Sequence, residues 1–168
     1  LHLSIRRQRQ MCIRDRGEGK VLKGEGVLKA IGVGSCIVLV LFDRENKIGG
    51  FVHSMLPTPK RSDDNTPGYR YVNKAIPQIV KEMEHLGAKK ENIEAYLIGG
   101  ATIFDSPIST SPWSIGARNV LEARNVLTRL DIKIVKEDVG GSEGRSVIFD
   151  ISEGKIVVKK KEKELVLR

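Results

Sequence analysis

Seven consecutive residues, Cys36-Ile37-Val38-Leu39-Val40-Leu41-Phe42, carry no charged or hydrogen-bonding polar side chain apart from the thiol at their head. A strand with one wet face alternates apolar with polar residues, so a continuous run of branched aliphatics requires cover on both faces and marks a central strand. Asp43-Arg44-Glu45-Asn46-Lys47 then makes a polar turn, and a second apolar run follows, Ile48-Gly49-Gly50-Phe51-Val52-His53-Ser54-Met55-Leu56, closed by Pro57 and Pro59. Gly49 and Gly50 permit a bulge or close packing within it. Two such runs on either side of a short polar turn predict an antiparallel hairpin at the centre of the fold.

That hairpin concentrates chemistry at one end. Cys36 opens its first strand directly after a glycine-punctuated turn, Ile31-Gly32-Val33-Gly34-Ser35, and His53 lies late in the second. An antiparallel return brings the two together, a thiol beside an imidazole, which is how a base activates a sulfur nucleophile. The competing reading is a packed structural cysteine, since free cysteine is among the most often buried residue types. Gly32 and Gly34 favour the catalytic one, because glycine allows backbone angles that direct amide N–H groups at a carbonyl oxygen.

The rest of the chain frames the hairpin. Gly17, Gly19, Gly24 and Gly26 punctuate an extended stretch upstream. Residues 57–68, with Asp63-Asp64-Asn65 and Pro67-Gly68, read as a long exposed loop beside the cleft. Across 69–86, Val72, Ile76, Ile79, Met83 and Leu86 recur at helical spacing and Gly87 supplies a stop, while Pro77 predicts a kink or a helix in two parts. Residues 93–98 suit a buried strand ending in Gly99-Gly100-Ala101, and 105–114 form a Ser/Thr/Pro-rich connection. A second helix is expected over 115–130, with Val120, Ala123, Leu127 and Leu130 on one face. Strands over 132–135, 147–151 and 156–158 complete an α/β order for which one mixed sheet with helices packed against it is the economical architecture. The expected division is a basic, flexible N-terminal arm over 1–17, one domain over 18–160 and a charged tail over 161–168.

Charge narrows the function classes. The formal net charge of +8 sits at the two ends, whereas residues 18–153 balance 18 basic with 18 acidic side chains. No stripe of Arg and Lys interleaved with aromatics runs through the middle, so specific nucleic-acid recognition is not expected. Two cysteines, Cys12 and Cys36, make no disulfide framework, and no apolar stretch reaches membrane-spanning length. Residues 1–17 lack the apolar core of a secretory signal, and a cytoplasmic protein without membrane insertion is expected. Three scattered histidines argue against a zinc site, and no metal or cofactor is called for.

A series of short motifs then occurs in order along the chain: Gly32-Val33-Gly34-Ser35-Cys36, Gly49-Gly50-Phe51-Val52-His53-Ser54-Met55-Leu56-Pro57, Pro67-Gly68-Tyr69, Ile98-Gly99-Gly100-Ala101, Ile115-Gly116-Ala117-Arg118-Asn119, and Asp138-Val139-Gly140-Gly141 with Gly144-Arg145-Ser146-Val147. With these the chain resembles the CheD family of chemoreceptor glutamine deamidases over about residues 24–158. The resemblance implies a three-layer α/β/α sandwich with a mixed, largely antiparallel sheet, related to toxin glutamine deamidases. It implies Cys36 as nucleophile and His53 as its histidine, with the oxyanion held by backbone N–H groups around Gly34, Ser35 and Cys36. The threonine that the family uses to orient the histidine falls at Ala30, whose methyl can neither donate nor accept a hydrogen bond. Ser54, Thr58 and Thr102 are chemically able to take its place.

The implied reaction is hydrolysis of a protein-bound glutamine to glutamate through a cysteine thioester, without cofactor or metal. Its implied substrate is the cytoplasmic helical bundle of a methyl-accepting chemotaxis receptor, and the phosphatase CheC is an implied regulatory partner. Phe51, Ser54 and Tyr69 are candidate substrate contacts. Arg118 and Asn119 divide between hydrogen bonding near the cleft and capping the second helix, and Asp138 and Arg145 between function and loop architecture. The alternative is a catalytically weakened or silent chemotaxis adaptor that binds receptor or CheC.

Overall fold

A computed structural model describes residues 10–12, 17–61, 68–102, 114–161 and 163–167. Its elements run β1 (Gln10–Cys12), β2 (Glu18–Lys23), β3 (Val27–Val33), β4 (Ile37–Asp43), β5 (Ile48–Ser54), α1 (Val72–His85), β6 (Ile93–Gly99), α2 (Ile115–Arg129), β7 (Lys133–Val139), β8 (Arg145–Asp150), β9 (Lys155–Lys160) and β10 (Lys163–Val166). The strands form two sheets, ordered β2-β5-β4-β6-β7 and β1-β3-β8-β9-β10. Both are mixed and largely antiparallel, with parallel pairs only at β6–β7 and β1–β3 among the described residues.

The apolar run at 36–42 is the spine of this arrangement. Every residue of β4 is buried, and the strand period of two sends successive side chains to opposite faces. Ile37, Leu39 and Leu41 join a core with Ile76, Ile79 and Met83 of α1 and Val120, Ala123 and Leu127 of α2. Val38, Val40 and Phe42 join a second core with Leu28, Val147, Phe149, Ile156 and Val158 of the other sheet. The layers are therefore helix, sheet, sheet. The expected single sheet and the expected α/β/α layering are both corrected: among the described residues both helices lie on one side, and the opposite cover is a second sheet. Hydrophobicity requires two covered faces but does not say whether a helix or a strand supplies the cover.

The expected hairpin is present. β4 and β5 pair antiparallel, with Ile37 opposite Ser54 and Val38 opposite His53. Gly49 and Gly50 permit the close packing anticipated for them, since a Cβ at Gly49 would lie 2.5 Å from the Phe149 ring and one at Gly50 2.9 Å from both Ile79 and Met83. Helix α1 runs through Pro77 as one helix rather than two; Pro77 is solvent-exposed, and its missing N–H removes a single bond near the first turn. β3 continues through Ile31 and Gly32, with a register shift between Ala30 and Val33, so the part of the 31–36 turn that was expected to be loop is a bulged strand end.

The two ends add strands that were not anticipated. The backbone of 10–12 pairs with β3, and 163–166 pairs with β9. Among the described residues no helix is long and apolar enough to cross a membrane.

Candidate active site

The chain crosses from the second sheet to the first between Val33 at the end of β3 and Ile37 at the start of β4. Cys36 sits in that crossing. It is a buried thiol, 4% exposed, and belongs to the core between the sheets. Val38 faces the same core. His53 is the cross-strand partner of Val38 and two residues beyond Phe51 of that core, so Cys36 and His53 are diagonal neighbours on one face of the sheet. His53 is 1% exposed. On its other side the register sets Glu18 of the edge strand β2 opposite it, with Gly17 donating its N–H to the His53 carbonyl at 2.7 Å.

The turn before the thiol is fastened by its carbonyls. Ala101 N–H donates to Gly34 O at 2.9 Å, Asn119 Nδ2 donates to Ser35 O at 2.9 Å, and Gly100 N–H donates to Cys36 O at 2.8 Å. Three successive carbonyls are thus drawn toward the end of β6 and the start of α2. The approach is close enough to need glycine. Gly99 and Gly100 have φ of +110° and +65°, and a Cβ on Gly99 would collide with the Cys36 carbonyl.

Helix α2, capped by Ser114 Oγ accepting from Ala117 N–H, lays Gly116 on the same spot. A Cβ there would stand 2.5 Å from Gly100 O and 2.7 Å from Ala101 O, both backbone atoms with little freedom to retreat. Alanine normally gains about 1 kcal/mol over glycine inside a helix. At Gly116 the collision is expected to reverse the sign, so that Gly116→Ala destabilises the protein by about 1–3 kcal/mol. Denaturant unfolding checks this, and a stabilised variant would contradict the packing.

Arg145 braces the next turn. It is 4% exposed and donates from Nη1 to Gly99 O at 2.9 Å and from Nη2 to Gly140 O at 2.6 Å. Burial pulls its pKa below the ordinary arginine value, with Asp138 and Glu143 acting in the other direction. Asp138 also accepts from Lys160 Nζ at 2.6 Å. These residues tie the Gly140–Gly141 corner to the end of β6, and so to the support of the Cys36 turn.

The residues expected to contact substrate are all buried. Phe51 is wholly buried between the sheets. Ser54 is wholly buried and donates from Oγ to Tyr69 O at 2.7 Å, while the Tyr69 ring fills the space above Gly19 in the helix-side core. Burial, with Glu82 beside it, pushes the Tyr69 phenol above its ordinary pKa. All three side chains are thus engaged in packing or hydrogen bonding within the two cores.

The residues weighed as stand-ins for a threonine have different settings. Ser54 points to the opposite face of β5, Thr58 is exposed, and Thr102 is half-buried and bonds through its N–H to Gly141 O. Ala30 is fully buried in the inter-sheet core that also contains Cys36. Arg118 is exposed, whereas Asn119 next to it is 0% exposed and reaches both strands of the hairpin: its Nδ2 also donates to Met55 O at 2.9 Å. Sequence carried a signal for this. Asn119 lies four residues before Ala123 and eight before Leu127, in phase with the apolar stripe of α2. Among the described residues no group of three or more His, Cys, Asp or Glu side chains is placed to hold a metal ion.

Comparison with known proteins gives a consistent result. The family model described as "CheD chemotactic sensory transduction" matches residues 55–160. The chain is 40% identical over 144 residues to a probable chemoreceptor glutamine deamidase CheD of Pyrococcus abyssi, covering 86% of this chain and 88% of that protein. It is 39% identical over 144 residues, with the same two coverages, to the chemoreceptor glutamine deamidase CheD of Thermotoga maritima. The corresponding figures for a probable CheD of Caldanaerobacter subterraneus are 39% over 142 residues, 84% and 88%. A match covering that share of 168 residues necessarily spans Cys36 and His53.

Proposed function

The chain belongs to the CheD family, and from that premise we propose that it hydrolyses glutamine side chains of chemotaxis receptors to glutamates, with Cys36 as nucleophile and His53 as general base and acid. The observation that carries the residue assignment is the hairpin register, which puts Cys36 and His53 on one buried face beside a fastened turn. The domain responsible is residues 18–160.

His53 takes the thiol proton, and the sulfur attacks the carboxamide carbon of the glutamine. The resulting oxyanion is received by backbone N–H groups of the 34–36 turn. Collapse of the tetrahedral adduct breaks the C–N bond, with His53 delivering a proton to the departing ammonia. A water deprotonated by His53 then attacks the thioester, leaving a glutamate and restoring the thiol. The scant exposure of both groups suits glutamine, a slender side chain with its carboxamide at the tip.

The experiment is direct. The protein incubated with a receptor cytoplasmic fragment is expected to release ammonia in step with new glutamates. Binding of the fragment without ammonia release would overturn the reading in favour of a silent adaptor of receptor or CheC. The specific feature favouring that second reading is Ala30, which offers no hydroxyl where the resemblance places the orienting threonine. Restoring it by Ala30→Thr is expected to raise kcat several-fold, on the order of 1 kcal/mol of transition-state stabilisation. Because the position is fully buried, overpacking is expected to cost about 1–3 kcal/mol of stability. Steady-state kinetics and thermal melting of the pair of proteins check both halves.

A further inference from the structure

We infer that Asn119 is a positioning residue that sets the geometry of both halves of the site, an inference that rests on the catalytic assignment of Cys36 and His53. Its single side-chain nitrogen donates both of its hydrogens across the hairpin, one to Ser35 O on the nucleophile's turn and one to Met55 O, two residues past His53. Both partners are carbonyls, so the amide's orientation follows from chemistry: only the NH₂ end can face them.

The bond to Ser35 acts beyond its own length. No peptide in the described chain is cis, and in a trans peptide the C=O and the following N–H point in opposite directions. Drawing Ser35 O toward α2 therefore aims the Cys36 N–H away from α2, and the Gly34 O to Ala101 bond does the same for the Ser35 N–H. These are the amides assigned to the oxyanion. The bond to Met55 O holds the far end of the β5 run against the same helix position, which fixes His53 relative to Cys36.

Apolar packing alone does not account for such a residue. Asn119 occupies the apolar stripe of α2 with 0% exposure, and its Oδ1 meets no hydrogen-bond donor among the described residues. A buried acceptor without a donor is destabilising, and unsatisfied groups of this kind call for an explanation in function or strain. Here the amide exchanges that penalty for two bonds that no aliphatic side chain can make.

The test uses Asn119→Leu, which roughly keeps the volume and removes both amide donors without adding a charge, and Asn119→Ser, which replaces them with one shorter hydroxyl. Each is expected to lower kcat on a receptor fragment by about 10²-fold, with KM changed by less than about threefold, because misplacement affects the transition state more than binding. The pH dependence of Cys36 alkylation by iodoacetamide, measured well below each variant's melting temperature so that the folded form is what reacts, is expected to be displaced in both, a readout that needs no receptor. Folded variants with a lowered melting temperature but an unchanged alkylation profile and kcat would overturn the inference. If the unsubstituted protein fails to deamidate while the variants still displace the alkylation profile, the receptor assignment falls and the positioning role stands.

Discussion

Serine in place of Cys36 is expected to leave the protein folded and to lower receptor-glutamine hydrolysis by at least about 10³-fold. The exchange replaces one sulfur by one oxygen in a position 4% exposed, so packing between the sheets is nearly conserved. Chemistry is not. A thiolate forms readily beside an imidazole and attacks carbonyl carbon well, whereas a serine hydroxyl gives up its proton far less easily and needs a stronger activating arrangement. Ammonia release from a receptor fragment, measured alongside thermal melting, separates the two effects. Retained activity in a folded Cys36→Ser protein would remove the thioester from the mechanism.

His53→Gln is expected to reduce kcat by about 10²–10⁴-fold, the range typical for loss of a general acid–base group. His53 is asked to act on the thiol, on the leaving ammonia and on the hydrolytic water. Glutamine retains polar bulk at a position that is 1% exposed between Val38 and Glu18 in register, but it transfers no proton at neutral pH. The same substitution is expected to slow iodoacetamide alkylation of Cys36 near neutral pH, since less thiolate is present. Unchanged alkylation with reduced turnover would confine His53 to the later proton transfers.

Much of this site was legible in the sequence because it depends on local pattern. The continuous apolar run forced β4 into the interior, the polar turn at 43–47 and the second run forced the return, and the strand period then put Cys36 and His53 on one face. What could not be read is where the chain changes sheet. Four connections between the described strands change sheet, from Cys12 to Glu18, from Lys23 to Val27, from Val33 to Ile37 and from Val139 to Arg145, and each contains glycine. The glycines announced corners. Only long-range pairing, such as β3 with β8, determined which sheet lay beyond each corner. The same limit concealed the second sheet, so that the pattern read as one mixed sheet.

Site support was hidden for a related reason. Gly99, Gly100 and Gly116 look like ordinary turn and helix residues until the strand end, the helix start and the Cys36 turn are brought into backbone contact. Asn119 was open to hydrogen bonding near the cleft or to capping and positioning the second helix, and its phase with Ala123 and Leu127 placed it inward. Phe51 was open in the sequence to core packing as much as to substrate contact, and both it and Tyr69 lie in the cores. Polarity in phase with an apolar stripe proved the more informative signal.

The central claim is that the Cys36 thiol attacks receptor glutamines. Site-resolved mass spectrometry of a receptor cytoplasmic fragment, after incubation with the unsubstituted protein or with Cys36→Ser, tests it most directly. The account predicts that particular glutamines become glutamates with the first protein and remain glutamines with the second. Equal conversion by both proteins, or conversion by neither under conditions where the fragment binds, would contradict it.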